Sequence, residues 1–224
     1  MTMLLTETIK NTTTAIKTRR ATLENKQNAE LYAKALFQLA QQHDAIKGVL
    51  DCAKELKEKG IVDKSVLPQS VRDGLIESVG DCGSAIDEGK LTLDTVKVLQ
   101  TKGENYAAQL RIVWKDAATK YVEGTKGYLA MISGLTQDPR KARELGENIT
   151  KIVDGSLSIN AINKLVADVG EAKAITDAFA LSPTIETFLK KVSAAQATVT
   201  DLTPEVMQWL KDKQLLSKLK VRFI

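Results

Sequence analysis

From Leu93 to Leu135, steps of three and four residues meet Leu93, Val96, Gln100, Gly103, Ala107, Leu110, Trp114, Ala117, Tyr121, Gly124, Tyr128, Met131 and Leu135. That is the period of an amphipathic α-helix, held for six heptads with no proline to interrupt it. A straight helix of this length measures roughly 65 Å at about 1.5 Å per residue. A compact domain of this size is not that wide, so the economical solution is a second long helix laid against the first. Trp114, Tyr121 and Tyr128 share one position of the heptad, while Gly103, Ala117 and Gly124, with Leu110 among them, share the other. Large side chains beside small ones let a neighbouring backbone approach closely.

The partner is expected upstream. Leu5, Ile9, Ile16 and Leu23, then Leu31, Leu36, Leu39, Ile46, Leu50, Ala53 and Leu56, give a helical period from about Leu4 to Lys59. The register slips across the polar stretch ENKQNAE, which predicts a bend or a change of packing partner near Asn25 to Asn28. A lysine-rich last turn and Gly60 close the helix. Residues 61–90 read as a connector of shorter pieces: IVDKSVL, a helix from Pro68 to about Val79, and the glycine-punctuated GDCGSAIDEGK. Its acids Asp81, Asp87 and Glu88 do not have the spacing of a calcium loop and read as solvated. The helix ending near Lys59 then returns through this connector as the helix of 92–136, giving an antiparallel pair.

Downstream, Asp138-Pro139, Ser182-Pro183 and Thr203-Pro204 each place a capping side chain before a proline at the first helical position, where the missing N–H costs nothing. They predict short helices over Pro139–Val153, Ser158–Phe179, Pro183 to about Val199 and Pro204–Leu216. In KLKVRFI, Leu219, Val221 and Phe223 alternate with Lys218, Lys220 and Arg222, the period of an extended strand. Such a tail either folds back over apolar surface or docks on the edge of another protein's sheet.

Composition agrees with an all-α class: aromatics are 4% and there are only four prolines. The formal charge of +4 is concentrated at the ends, with five basic and three acidic residues in 1–30 and five basic and two acidic in 203–224. Lysine outnumbers arginine 25 to 7, and arginine is the residue that forks onto phosphates and base edges. Nucleic acid is therefore not favoured as a partner.

No catalytic, cofactor-binding or metal-binding signature is visible. Cys52 and Cys82 form no CxxC pair, and the single His43, between Leu39 and Ile46, reads as a boundary or core histidine. GTKGYLAMISG lacks the order of a phosphate-binding loop and lies inside a helical pattern. No apolar run approaches the length of a membrane span, and MTMLLTETIK lacks the apolar core of a signal peptide.

The sequence thus predicts an elongated all-α protein: a coiled-coil-like long helical hairpin over 1–136 with its connector at 60–91, a small helical bundle over 137–217, and an extended basic and apolar tail at 218–224. The expected role is that of a cytoplasmic, non-enzymatic accessory or scaffolding subunit, with no cofactor and no small-molecule substrate. Its expected partner is another protein, a second copy of itself, or both. Leu110, Trp114, Tyr121, Gly124 and Tyr128 are the predicted packing seam. Leu219, Val221 and Phe223, with Lys220 and Arg222, are the predicted docking tail. Nucleic-acid binding through the basic termini is the alternative.

Overall fold

The computed structural model describes residues 2–62, 67–136 and 138–218, with side chains throughout those ranges apart from 2–16, 21 and 22. Seven α-helices account for most of them: α1 (Thr2–Glu58), α2 (Gln69–Asp87), α3 (Leu93–Ile132), α4 (Pro139–Asp154), α5 (Ile159–Asp177), α6 (Pro183–Ser193) and α7 (Pro204–Asp212). No strand occurs among the described residues. The protein is all-α, with long helices packed on one another. The chain divides into two compact units, one of residues 1–51 and 65–110, the other of 52–64 and 111–224.

In the first unit, α1 is unbroken through Asn25 to Asn28, and the polar stretch there is exposed helix. From Tyr32 to Val49 its buried or half-buried side chains are Tyr32, Ala35, Leu39, Gln42, Ile46 and Val49, an alternation of three and four. The largest departure from the sequence expectation is α2. Residues 69–87 form one helix of 19 residues, in place of a short helix and a glycine-rich connector. Leu75, Ser78 and Cys82 are its buried face, at helical spacing but with only one side chain that advertises a core. Its glycines at 80 and 83 meet no other atom within 4 Å of an added Cβ. They weaken the helix by about 1 kcal/mol each relative to alanine but do not break it.

A full helix in the connector reverses the chain once more than expected. Cys82 Sγ lies 3.9 Å from the Thr95 carbonyl oxygen, and Gly74 faces Lys102, so α2 runs antiparallel to α3. Gly103 faces Ile46, and Leu93 lines a cleft with Ala33, Lys34, Phe37 and Gln38. Ascending α3 by ten residues therefore ascends α1 by about as many, and the two long helices run parallel. Helix α2 runs antiparallel to both. The turns on either side of α2 are fixed by Gly60 and Gly89, both at φ +66°. In each, a paired set of carbonyl bonds closes the preceding helix, Ile61 N to Leu56 O at 3.1 Å and Lys90 N to Ala85 O at 2.8 Å.

In the second unit the predicted caps are present. Lys141 N donates to Asp138 Oδ1 at 3.0 Å, Ala161 N to Ser158 Oγ at 3.1 Å, Ile185 N to Ser182 Oγ at 3.4 Å and Val206 N to Thr203 Oγ1 at 3.3 Å. The helices α6 and α7 end earlier than expected, at Ser193 and Asp212. Helix α4 packs on α5, with Lys141 Nζ reaching Glu171 Oε1 at 2.6 Å. A separate core joins Ile132 to Ile185, Phe188 and Leu189 of α6 and to Val206, Trp209 and Leu210 of α7. The Trp209 indole N–H donates to the Phe179 carbonyl at 2.8 Å, which satisfies the one polar atom of that side chain.

The link before α7 is electrostatic. Lys191 Nζ sits 2.5 Å from Asp201 Oδ1, and Thr198 N donates to Oδ2 at 2.8 Å. Lys191 first, then the Thr198 backbone, hold the Asp201 carboxyl down to about 2. A depressed carboxylate contributes stability that is present above its ordinary pKa and is lost as pH falls through the folded value. Asp201→Asn is therefore predicted to lower the melting temperature near neutral pH and to shrink that deficit as pH falls from about 4 to about 2. Melts of both proteins across that range check it, and a deficit independent of pH would contradict it.

Close packing makes a second prediction. A Cβ on Gly103 would stand 2.9 Å from Ile46 Cγ1, whereas one on Gly124 meets nothing within 4 Å. Gly103→Leu is predicted to cost about 1–3 kcal/mol by overpacking. Gly124→Ala is predicted to stabilise by about 0.5–1 kcal/mol through helix propensity. Urea unfolding of the two variants reads both signs.

Candidate interaction surfaces

Helix α3 carries the predicted seam, and burial along it follows a different period. Val96, Leu99, Gly103, Ala107, Leu110, Trp114, Ala118, Tyr121, Thr125, Leu129, Ile132 and Thr136 are each buried or half-buried. Their steps repeat as three, four, four, an eleven-residue period of about 3.67 residues per turn. Because an ordinary helix drifts about 20° per heptad, a strict heptad over this length would walk off the packed face. The predicted and observed lines share Val96, Gly103, Ala107, Leu110, Trp114 and Tyr121, and separate beyond Tyr121. Tyr121 and Tyr128 are half-buried and Gly124 is exposed, while Ala118, Val122, Thr125 and Leu129 take the buried positions.

The two tyrosines are held by side chains of the second unit. The Lys173 ammonium stands 5.9 Å from the centre of the Tyr121 ring, a cation over an aromatic face. The Glu186 carboxylate, facing the Tyr128 hydroxyl, pushes the phenol above its ordinary value. Trp114 is 2% exposed, and its indole N–H has no hydrogen-bond partner among the described residues.

His43 is exposed and lies 3.1 Å from the neighbouring Asp44 carboxylate, not at a core boundary. Cys52 and Cys82 are both buried, and burial is the main cause that pushes the Cys82 thiol up. No group of three or more metal-ligating side chains occurs among the described residues. A groove of about 800 Å³ in the second unit has Leu129, Ala130, Ala142 and Gly146 in its lining, with Arg143 and Glu147 among its charged residues. The tail residues Leu219, Lys220, Val221, Arg222 and Phe223 lie outside the described residues.

The surface that sequence reasoning missed is the outward face of α2. Ile76, Val79 and Ile86 are 69%, 50% and 38% exposed, and with Gly83 they are spaced by three, four and three, as a helix-binding seam is. This column lies next to the buried one of Leu75, Ser78 and Cys82, so α2 is apolar over more of its circumference than its unit covers. The far edge is acidic. Residues 69–88 carry Asp73, Glu77, Asp81, Asp87 and Glu88 against one cation, Arg72. The signal was present in the periodicity of 75–86, and the glycines at 80 and 83 concealed it.

Trp114 gives a test of burial on α3. Trp114→Ala is predicted to cost about 3–5 kcal/mol. Trp114→Phe is predicted to cost markedly less, because it keeps most of the apolar volume and removes a donor whose desolvation is uncompensated by about 1–3 kcal/mol. Equal losses in chemical denaturation would contradict this reading. Comparison with protein-family models, with curated proteins and with solved structures finds no match to this chain.

Proposed function

We propose that this chain is a non-enzymatic helical accessory or scaffolding subunit, one that mediates protein–protein assembly within a larger complex. The observation that carries the reading is the exposed apolar column of Ile76, Val79 and Ile86 on α2. Single exposed apolar residues are ordinary, but a column at helical spacing is the surface on which another helix packs. Its acidic border selects a partner with basic flanking residues and disfavours nucleic acid on the same face. No described helix is long and apolar enough to cross a membrane, so the column is not part of a long apolar span.

Purification of the tagged full chain from its native host, with nuclease treatment and quantitative mass spectrometry, tests the proposal. Ile76→Lys and a chain stopped after Lys218 are run beside it. The prediction is a stoichiometric protein partner, the untagged chain included, lost from Ile76→Lys while helicity by circular dichroism is unchanged. Recovery of nucleic acid alone, or a partner indifferent to Ile76→Lys and lost only on truncation, would place the contact elsewhere and overturn the role of α2.

A further inference from the structure

The occupant that the α2 column selects is a helix that exposes an apolar side chain between basic ones, and this chain contains one, around Leu23. Helix α1 begins at Thr2, yet the first residue of α3 lies beside Ala33 to Gln38. The earlier part of α1 therefore extends beyond α3. Between Lys17 and Leu31 every described side chain is exposed, including Leu23 at 61% and Leu31 at 51%. Most helices in proteins are stabilised by packing of an apolar face, and here the unit supplies none.

Charge and length match as well. Residues 17–31 carry Lys17, Arg19, Arg20 and Lys26 against Glu24 and Glu30, with Arg19, Arg20 and Lys26 on the turns either side of Leu23. The exposed segment spans about 21 Å and the α2 column about 15 Å at helical rise. Within one chain Leu23 does not reach Val79. Cys82 is level with Thr95, which places Val79 roughly 25 Å along α1 from Leu23.

We infer that residues 17–31 of α1 from a second copy of the chain lie along the outward column of α2, bringing Leu23 against the line of Ile76, Val79 and Ile86. The contact is reciprocal, each copy giving its α1 segment and receiving its partner's, as twofold symmetry requires. It rests on the assembly reading above and names the partner as the same chain. Arg19, Arg20 and Lys26 then face the acidic border of α2, so association weakens with salt.

Sedimentation equilibrium of the full chain, with Leu23→Lys and Val79→Lys beside it, tests this. Both substituted sites are exposed, and circular dichroism verifies that each variant keeps its helicity. The expected result is a wild-type dimer of twice 24.5 kDa. Its dissociation constant should rise at least about tenfold between roughly 50 mM and 500 mM salt, and each variant should raise it at least about tenfold at low salt. A monomeric wild type, or a dimer that survives both substitutions, overturns the inference. If the wild type is monomeric while a different purified protein binds it and is lost on Val79→Lys, the inference fails and the assembly reading stands.

Discussion

Burial of one face of α3 is the constraint on which the rest of the fold depends. A helix of 40 residues is stable in water chiefly through what covers its apolar stripe. Val96, Leu99, Leu110, Leu129 and Ile132 are each at most 3% exposed, and each such side chain is stabilised by about 1.5–3 kcal/mol on leaving water. In the first unit α1 approaches α3 at Gly103, where the missing side chain lets Ile46 sit against the backbone. Within the second unit, Ile132 at the end of α3 anchors the core that α6 and α7 complete.

The fold was legible where a single residue type has a single local meaning. Asp138, Ser182 and Thr203 before proline mark helix starts, because the side-chain oxygen and the proline act within one turn. The first half of α2 was expected, as a helix from Pro68 to about Val79; its continuation to Asp87 was hidden because Cys82 does not read as core and because glycines at 80 and 83 read as stops. In the folded helix those glycines touch nothing, so only their modest propensity cost remains. That one omission reversed the inferred direction of α3 relative to α1. Along α3 the predicted seam and the buried line differ for a different reason: heptad and eleven-residue spacings share Val96, Gly103, Ala107, Leu110, Trp114 and Tyr121, and a slip of one residue then places Thr125 and Leu129 beside the predicted Gly124 and Tyr128.

The candidate surface was less legible than the fold. Aromatic residues drew attention to α3, where Tyr121 and Tyr128 are instead engaged by Lys173 and Glu186 of their own unit. The apolar column of α2 has no aromatic and no arginine, and it becomes conspicuous only once Leu75 and Cys82 are seen to fill the inner face. What then distinguishes Ile76, Val79 and Ile86 from incidental exposed residues is their alignment beside an acidic edge. Exposed α1, with its basic residues around Leu23, is the complementary half of the same arrangement.

Amide hydrogen exchange along α1 tests the central claim most directly, because a helix with no packed face opens readily and one covered by a partner does not. The account predicts that amides of residues 17–31 exchange quickly in dilute protein and become protected as concentration rises, together with slower exchange over residues 76–86. Fast exchange of 17–31 at every concentration, with α2 unchanged, would contradict it.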